Sequence, residues 1–188
     1  MLIPFDPQVR LGELLAVRGR VPSPRPERCP GCGAAAPLSF AGWWTKATRY
    51  GPVDLHRVAC RRCGATHSLW PDLLVAGHKD STELIGAALT ASADGWTQRR
   101  IAAALRLPAA TVRGWVHAFR RVAASMCRRL LDLAVACDAA APWPRGRDSL
   151  QLAVGAALIA AATLLRLGGE PVQPWRLAVQ VTGGRLLG

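Results

Sequence analysis

The chain has 188 residues, 24 of them Lys or Arg against 12 Asp or Glu, giving a net charge of +12 and a pI near 11.1. That length holds one ordinary domain or two small ones, and a hydrophobic share of 51% excludes global disorder. So large a positive excess argues for a polyanionic partner. Lys46 and Lys79 are the only lysines. Arg is the better bidentate donor to phosphate and guanine, although an Ala/Arg/Gly/Pro-rich composition also fits a GC-rich coding sequence.

The chain starts M-L-I-P-F-D, with no basic stretch followed by an apolar one, so no secretory signal is expected. Leu11, Leu14, Leu15 and Val17 predict a short helix. Residues 1–27 read as an arm that ends in a Pro-rich, extended linker.

Residues 28–72 contain C-P-G-C-G and C-R-R-C-G. These set Cys29, Cys32, Cys60 and Cys63 in a C-x2-C…C-x2-C array, the spacing with which two tight turns grip one tetrahedral metal ion. Gly33 and Gly64 follow each pair, where the backbone must turn with positive φ. Phe40, Trp43, Trp44, Tyr50 and Val53 predict two strands turning at Gly51-Pro52, and A-T-H-S-L-W-P predicts another ending at Pro71. The outline is a zinc ribbon with one structural Zn²⁺, whose small core makes the metal a large part of its folding energy. His56 and His67 are substitute ligands in principle, but four thiolates already close the tetrahedron and leave no open position for a catalytic water. Metal-type cysteines without a secretory signal predict a reducing, cytoplasmic setting. Cys127 and Cys137 stand apart and read as small buried hydrophobes.

From residue 80 to 137 the period becomes helical. Asp80 or Ser81 is placed to cap a helix carrying Leu84, Ile85, Ala88 and Leu89, which ends near Gly95. Thr97 is placed to cap Q-R-R-I-A-A-A-L, and Pro108 opens a third helix. That helix has the clearest stripe in the chain: Val112, Trp115, Val116, Phe119, Val122, Ala123 and Met126, continued by Leu130, Leu133 and Cys137. Thr97–Phe119 therefore fits a helix-turn-helix, with Ile101 and Leu105 inward, Ala102 at the helix crossing and Leu107 in the turn.

Contacts to double-stranded DNA follow from that placement. Thr97, Gln98, Arg99 and Arg100 start the supporting helix, where side chains and N–H groups meet phosphate. Thr111, Arg113 and His117 lie on the recognition helix, and Arg113 and His117, one turn apart, are the candidates for base edges. Arg120 and Arg121 are assigned to the backbone. Ala109, Ala110 and Gly114 fall where bases are often read and donate no side-chain hydrogen bond. Arg61 and Arg62, inside a metal turn, must point outward. Together with Trp43 and Trp44 they predict a basic, aromatic surface suited to nucleic acid.

After the linker A-P-W-P-R-G-R-D, residues 150–165 are strongly apolar. The run is too short for a comfortable membrane span, contains Gln151 and Thr163, and closes at Arg166, so a buried or partner-facing helix is expected. The sequence assigns no role to the tail. The resulting fold class is mainly α with a small β zinc ribbon: ribbon at 28–72, three-helix helix-turn-helix domain at 80–137, C-terminal apolar helix and tail at 147–188.

C-P-G-C-G, then W-x-K/R, R-x-x-C-R-R-C-G-A-T-H-S and I-A-A-A-L-x-L-P-x-x-T-V-R-G-W together resemble the N-terminal DNA-recognition region of bacterial insertion-sequence transposases. They resemble more closely a family of uncharacterised bacterial proteins that carry the same zinc ribbon and helix-turn-helix and are linked with mobile elements. The ending T-G-G-R-L-L is similar to that family as well. The resemblance covers roughly residues 25–125. It implies recognition of element DNA and does not imply catalysis; contact with a separate transposase or integrase is an expectation for the C-terminal third of the chain.

Catalysis is not expected. Strand transfer needs carboxylates that hold two metal ions, whereas the twelve acidic residues are scattered singly, and there is no phosphate-cradling glycine loop. The expected activity is that of a DNA-recognition or targeting subunit, or of a transcriptional regulator, with homodimerisation through the C-terminal helices. The alternatives are a protein- or RNA-interaction module with structural zinc, and a transposase remnant without its catalytic domain.

Overall fold

A computed structural model describes residues 1–24, 26–35 and 38–188; Arg25, in the Pro-rich linker, lies outside the described residues. The chain divides into two units, Met1–Ser81 and Thr82–Gly188.

The first unit is built on one sheet of β1 (Leu2–Phe5), β2 (Leu38–Thr48), β3 (Gly51–Cys60) and β4 (Thr66–Pro71), in the order β1-β4-β3-β2. β2–β3 and β3–β4 are antiparallel, and β1 runs parallel to β4 with Leu2 opposite Ser68 and Phe5 opposite Pro71. This mixed sheet is larger than the expected zinc ribbon. The difference comes from the N-terminal residues, which supply β1 and cover an edge of β4 that would otherwise stay open.

Each face of the sheet carries a buried cluster. Leu69 and Trp70 are neighbours on β4 and so point to opposite sides. Leu69 packs with Phe5, Leu38, Val58, Cys29 and Cys60, and Ile3 adds to them. Trp70 packs with Val53, Leu55, Leu73, Leu74 and Leu14, the last from helix α1 (Leu11–Ala16). The hairpin turns two residues earlier than expected, through Arg49–Tyr50, with Thr48 opposite Gly51 and the positive φ of +123° falling on Gly51.

The second unit is helical: α2 (Thr82–Ala93), α3 (Gln98–Leu105), α4 (Ala109–Cys137), α5 (Ser149–Arg166) and α6 (Pro174–Val181). α2 and α3 end in the same capping motif. At α2, Gly95 (φ +84°) donates to Ser92 and Trp96 donates to Ala91; at α3, Arg106 donates to Ala103 and Leu107 to Ala102. Arg106 takes the left-handed position itself, at φ 53° and ψ 48°, so the turn has the geometry glycine usually provides. Pro108 is the N-cap of α4 rather than its first residue.

α4 spans 29 residues, about 43 Å. Its buried stripe runs Val112, Trp115, Val116, Phe119, Ala123, Met126, Leu130 and Ala134, with Val122, Leu133 and Cys137 only partly covered. α5 packs along α4, and the small residues Ala153, Ala156, Ala157 and Ala160 on its buried face allow close approach. By length and composition α5 is able to cross a membrane; Leu150, Val154 and Thr163 are nonetheless buried within the unit, as in a core helix. Its Gln151 is used: Nε2 donates to the Ala93 carbonyl at the end of α2 (3.0 Å), and Oε1 accepts from Arg147 N (2.7 Å).

The tail forms α6. Trp175 sits edge-on to Phe119 (5.6 Å between centroids), and its Nε1 donates to Thr90 Oγ1 (3.0 Å). Gly86 of α2 makes room for it: a Cβ there would lie 2.2 Å from Trp175 Cδ1.

Candidate metal centre and nucleic-acid interface

The two cysteine turns have one design. In the first, Cys29 N donates to Ala34 O (2.9 Å) and Gly33 N to Cys29 O (2.8 Å); in the second, Cys60 N donates to Ala65 O and Gly64 N to Cys60 O, both 2.9 Å. Gly33 and Gly64 take φ of +69° and +71°. β2 and β3 bring the turns together, since Leu38 pairs with Cys60. All four sulfurs lie within 4.8 Å of one another, with Cys29–Cys63 at 3.8 Å and Cys32–Cys60 at 3.9 Å. A metal–thiolate tetrahedron with bonds of about 2.3 Å has edges of about 3.8 Å, so the four residues fit a structural metal ion.

Electrostatics agree with that fit. The Cys63 N–H, with that of Arg62, is directed at the Cys60 sulfur and holds its thiol down to about 7. At Cys63 the Ala65 N–H favours the thiolate, but burial and the sulfurs of Cys32, Cys60 and Cys29 outweigh it and push the thiol up to about 11. Four ionised sulfurs this close repel one another, and a bound cation removes the conflict.

His67, a substitute ligand by sequence, has a different place in the fold. It is 2% exposed, and its Nε2 lies 3.3 Å from Cys29 Sγ. Its Nδ1 is buried with no hydrogen-bond partner among the described residues, and desolvation lowers its pKa. A neutral ring with the proton on Nε2 therefore donates to the sulfur, the role of an outer-shell partner that orients a ligand. Its position seven residues after Cys60 gives no sequence signal for this.

Of the remaining predicted residues on this unit, Arg61 and Arg62 are exposed between the second pair of cysteines. Trp43 and Trp44 lie on opposite faces: Trp43 stacks on His56, while Trp44 approaches Trp70 (6.1 Å) and donates from Nε1 to Ser68 Oγ (3.1 Å).

On the helical unit, Thr97 caps α3, its Oγ1 accepting from Arg100 N (3.3 Å). Arg100 lies 3.7 Å over the Trp96 ring, Arg99 is exposed, and Gln98 is half-buried. Arg113, His117, Arg120 and Arg121 are all exposed on α4, and Thr111 is partly covered. Arg113 and His117, four residues apart, share one side of the helix. Arg120 is 3.9 Å from Asp148, a pairing that sequence spacing does not reveal. Ala109, Ala110 and Gly114 are exposed at the start of α4, so Arg113 and His117 supply the polar groups on the outer surface there.

A family model described as a homeodomain-like domain matches residues 82–124, that is α2, α3 and the first half of α4. The match is consistent with a transposase-like DNA-binding region and suggests DNA binding. Searches of curated proteins and of solved structures find no match.

Proposed function

We propose that the protein is a zinc-stabilised, sequence-selective DNA-binding protein without catalytic activity of its own. It would serve in the cytoplasm as the recognition or targeting subunit of a transposition system or as a transcriptional regulator. The observation that carries this reading is the homeodomain-like match to α2–α4 together with Arg113 and His117 exposed on one side of α4. In a helix-turn-helix that side enters the major groove and the supporting helix crosses the backbone. In this reading Thr97, Gln98, Arg99, Arg100 and Arg121 would meet phosphates, as would Arg120 on exchanging Asp148 for one.

Zn²⁺ is the metal that best suits four thiolates in tetrahedral spacing, and Cys29, Cys32, Cys60 and Cys63 would hold it. Its contribution is to tie the two turns together and so fix the end of the β2–β3 pair. The exposed Leu158 and Leu165 of α5 and the exposed Trp143 support a contact with a second copy or a separate transposase or integrase. Selection from randomised duplex DNA tests the reading: a recurrent motif is expected, and the recovery of unenriched sequence would refute it.

A further inference from the structure

The β2–β3 hairpin carries an aromatic cluster that the metal centre does not use. Phe40 pairs with Val58 and Trp43 with His56, so the β2 segment is one residue longer than its partner. The extra residue forms a bulge at Ala41–Gly42, where Gly42 takes φ +98°. In a regular strand residues 40 and 43 would face opposite sides; the bulge puts both on the side of His56. Trp43 stacks on His56 at 4.7 Å and 23°, and Phe40 lies 4.7 Å from His56 and 5.9 Å from Trp43. Phe40 is 54% exposed and Trp43 39%.

Cations flank the rings. Arg20 sits 5.8 Å over Trp43 and is held there by Asp54 (3.1 Å), while Ser23 Oγ shares a hydrogen bond with His56 Nδ1 (2.8 Å). At the other end Arg61 and Arg62 are exposed in the metal turn that follows Cys60, the last residue of β3. The neighbouring carboxylate, Asp54, is buried and already bound by Arg18, Arg20 and Thr45. Residues 1–81 hold eleven Lys or Arg against six Asp or Glu.

We propose that this bulge-built platform binds single-stranded DNA, with an unpaired base stacking on the exposed Phe40, the Trp43 ring, itself stacked on His56 and under Arg20, supporting it from beside, and phosphates met by Arg20, Arg61 and Arg62. A closed duplex offers side chains base edges and backbone, so an exposed ring such as Phe40 serves bases that have left the helix. The proposal rests on the DNA-binding reading, which favours DNA over RNA. To the helix-turn-helix, which reads a closed duplex, it adds a site for an opened strand.

The test measures binding of the full chain to a short oligothymidylate, to the matching oligouridylate and to a duplex. The protein is used as wild type, Phe40→Leu, Trp43→Leu and Trp43→Phe. The leucine variants keep apolar volume, and Trp43→Phe keeps a stacking ring, so a folding defect would be separable by circular dichroism and metal content. Each leucine change is expected to weaken oligothymidylate binding about tenfold or more, with duplex affinity unchanged and Trp43→Phe close to wild type. Duplex binding retained with no effect of the leucine changes on the single strand would overturn the platform alone. Tighter binding to oligouridylate would overturn its assignment to DNA. Binding to none of the three probes would remove the nucleic-acid reading as a whole.

Discussion

Gly86→Ala tests the docking of α6 on the helix-turn-helix helices with a change of sign. Gly86 is buried inside α2, where Ala is favoured over Gly by about 1 kcal/mol on helix propensity alone. The structure opposes that gain, because the added Cβ would lie 2.2 Å from Trp175 Cδ1 and 2.3 Å from Cγ, near the root of the side chain. The indole must leave, and with it go the edge packing on Phe119 and the hydrogen bond to Thr90. Removing a fully buried Trp costs about 3–5 kcal/mol. Trp175 is half-buried, so about 2 kcal/mol is a fair share, and the broken hydrogen bond adds about 1. The net expectation is destabilisation by about 2 kcal/mol. In a Trp175→Ala background the three nearest obstructing atoms, all of the indole, are gone, and the same change should stabilise by about 1 kcal/mol. Urea unfolding followed by far-UV circular dichroism gives the four corners of the cycle. Stabilisation by Gly86→Ala in the wild-type chain would mean that Trp175 is not seated against α2.

Three further outcomes are expected. Arg106→Gly should stabilise the helical unit by about 1 kcal/mol, because it removes a left-handed non-glycine residue; a drop in stability in thermal unfolding would contradict the α3 cap. Cys60→Ser should abolish binding of one metal ion, and His67→Phe, which keeps a ring but no N–H donor, should weaken metal binding about 10- to 100-fold in a competition with a chromophoric chelator; unchanged affinity in His67→Phe would remove the hydrogen bond to Cys29 from the account. The Thr45 hydroxyl, followed by Arg20 and Arg18, holds the Asp54 carboxyl below its usual range, against an opposing effect of desolvation. Its stabilisation is therefore present above the unfolded value near pH 4 and is lost as pH falls through the lower, folded value. Asp54→Asn should flatten that acid limb in a pH series of unfolding curves, and an unchanged limb would show that Asp54 does not contribute.

Local features are the ones legible in the sequence. The two C-x2-C-G turns state their own geometry, because spacing and glycine together dictate the backbone. The stripe from Val112 to Leu130 marks α4 because a 3.6-residue period survives in any packing context. Relations between distant segments are not legible. β1 is four residues whose strand character depends on the open edge of β4, more than sixty residues away. Phe40 and Trp43 have the wrong spacing for a shared strand face until the Gly42 bulge is known. His67 gains its role only where the fold carries it to Cys29. α6 is within reach of the sequence: Pro174 followed by Leu177, Ala178 and Val181 is a helix start with an apolar face.

The most direct measurement of the DNA-binding claim is the affinity of the full chain for a selected duplex and for an unrelated one, in wild type and in Arg113→Ala/His117→Ala, over a range of salt. The account predicts that the wild-type preference for the selected duplex collapses in the double variant, by about 1–3 kcal/mol for each base that is no longer read. Residual binding to both duplexes should keep a steep salt dependence from the remaining arginines. A double variant that keeps the full preference would contradict the assignment of base reading to α4, and binding that does not respond to salt would contradict the DNA-binding account itself.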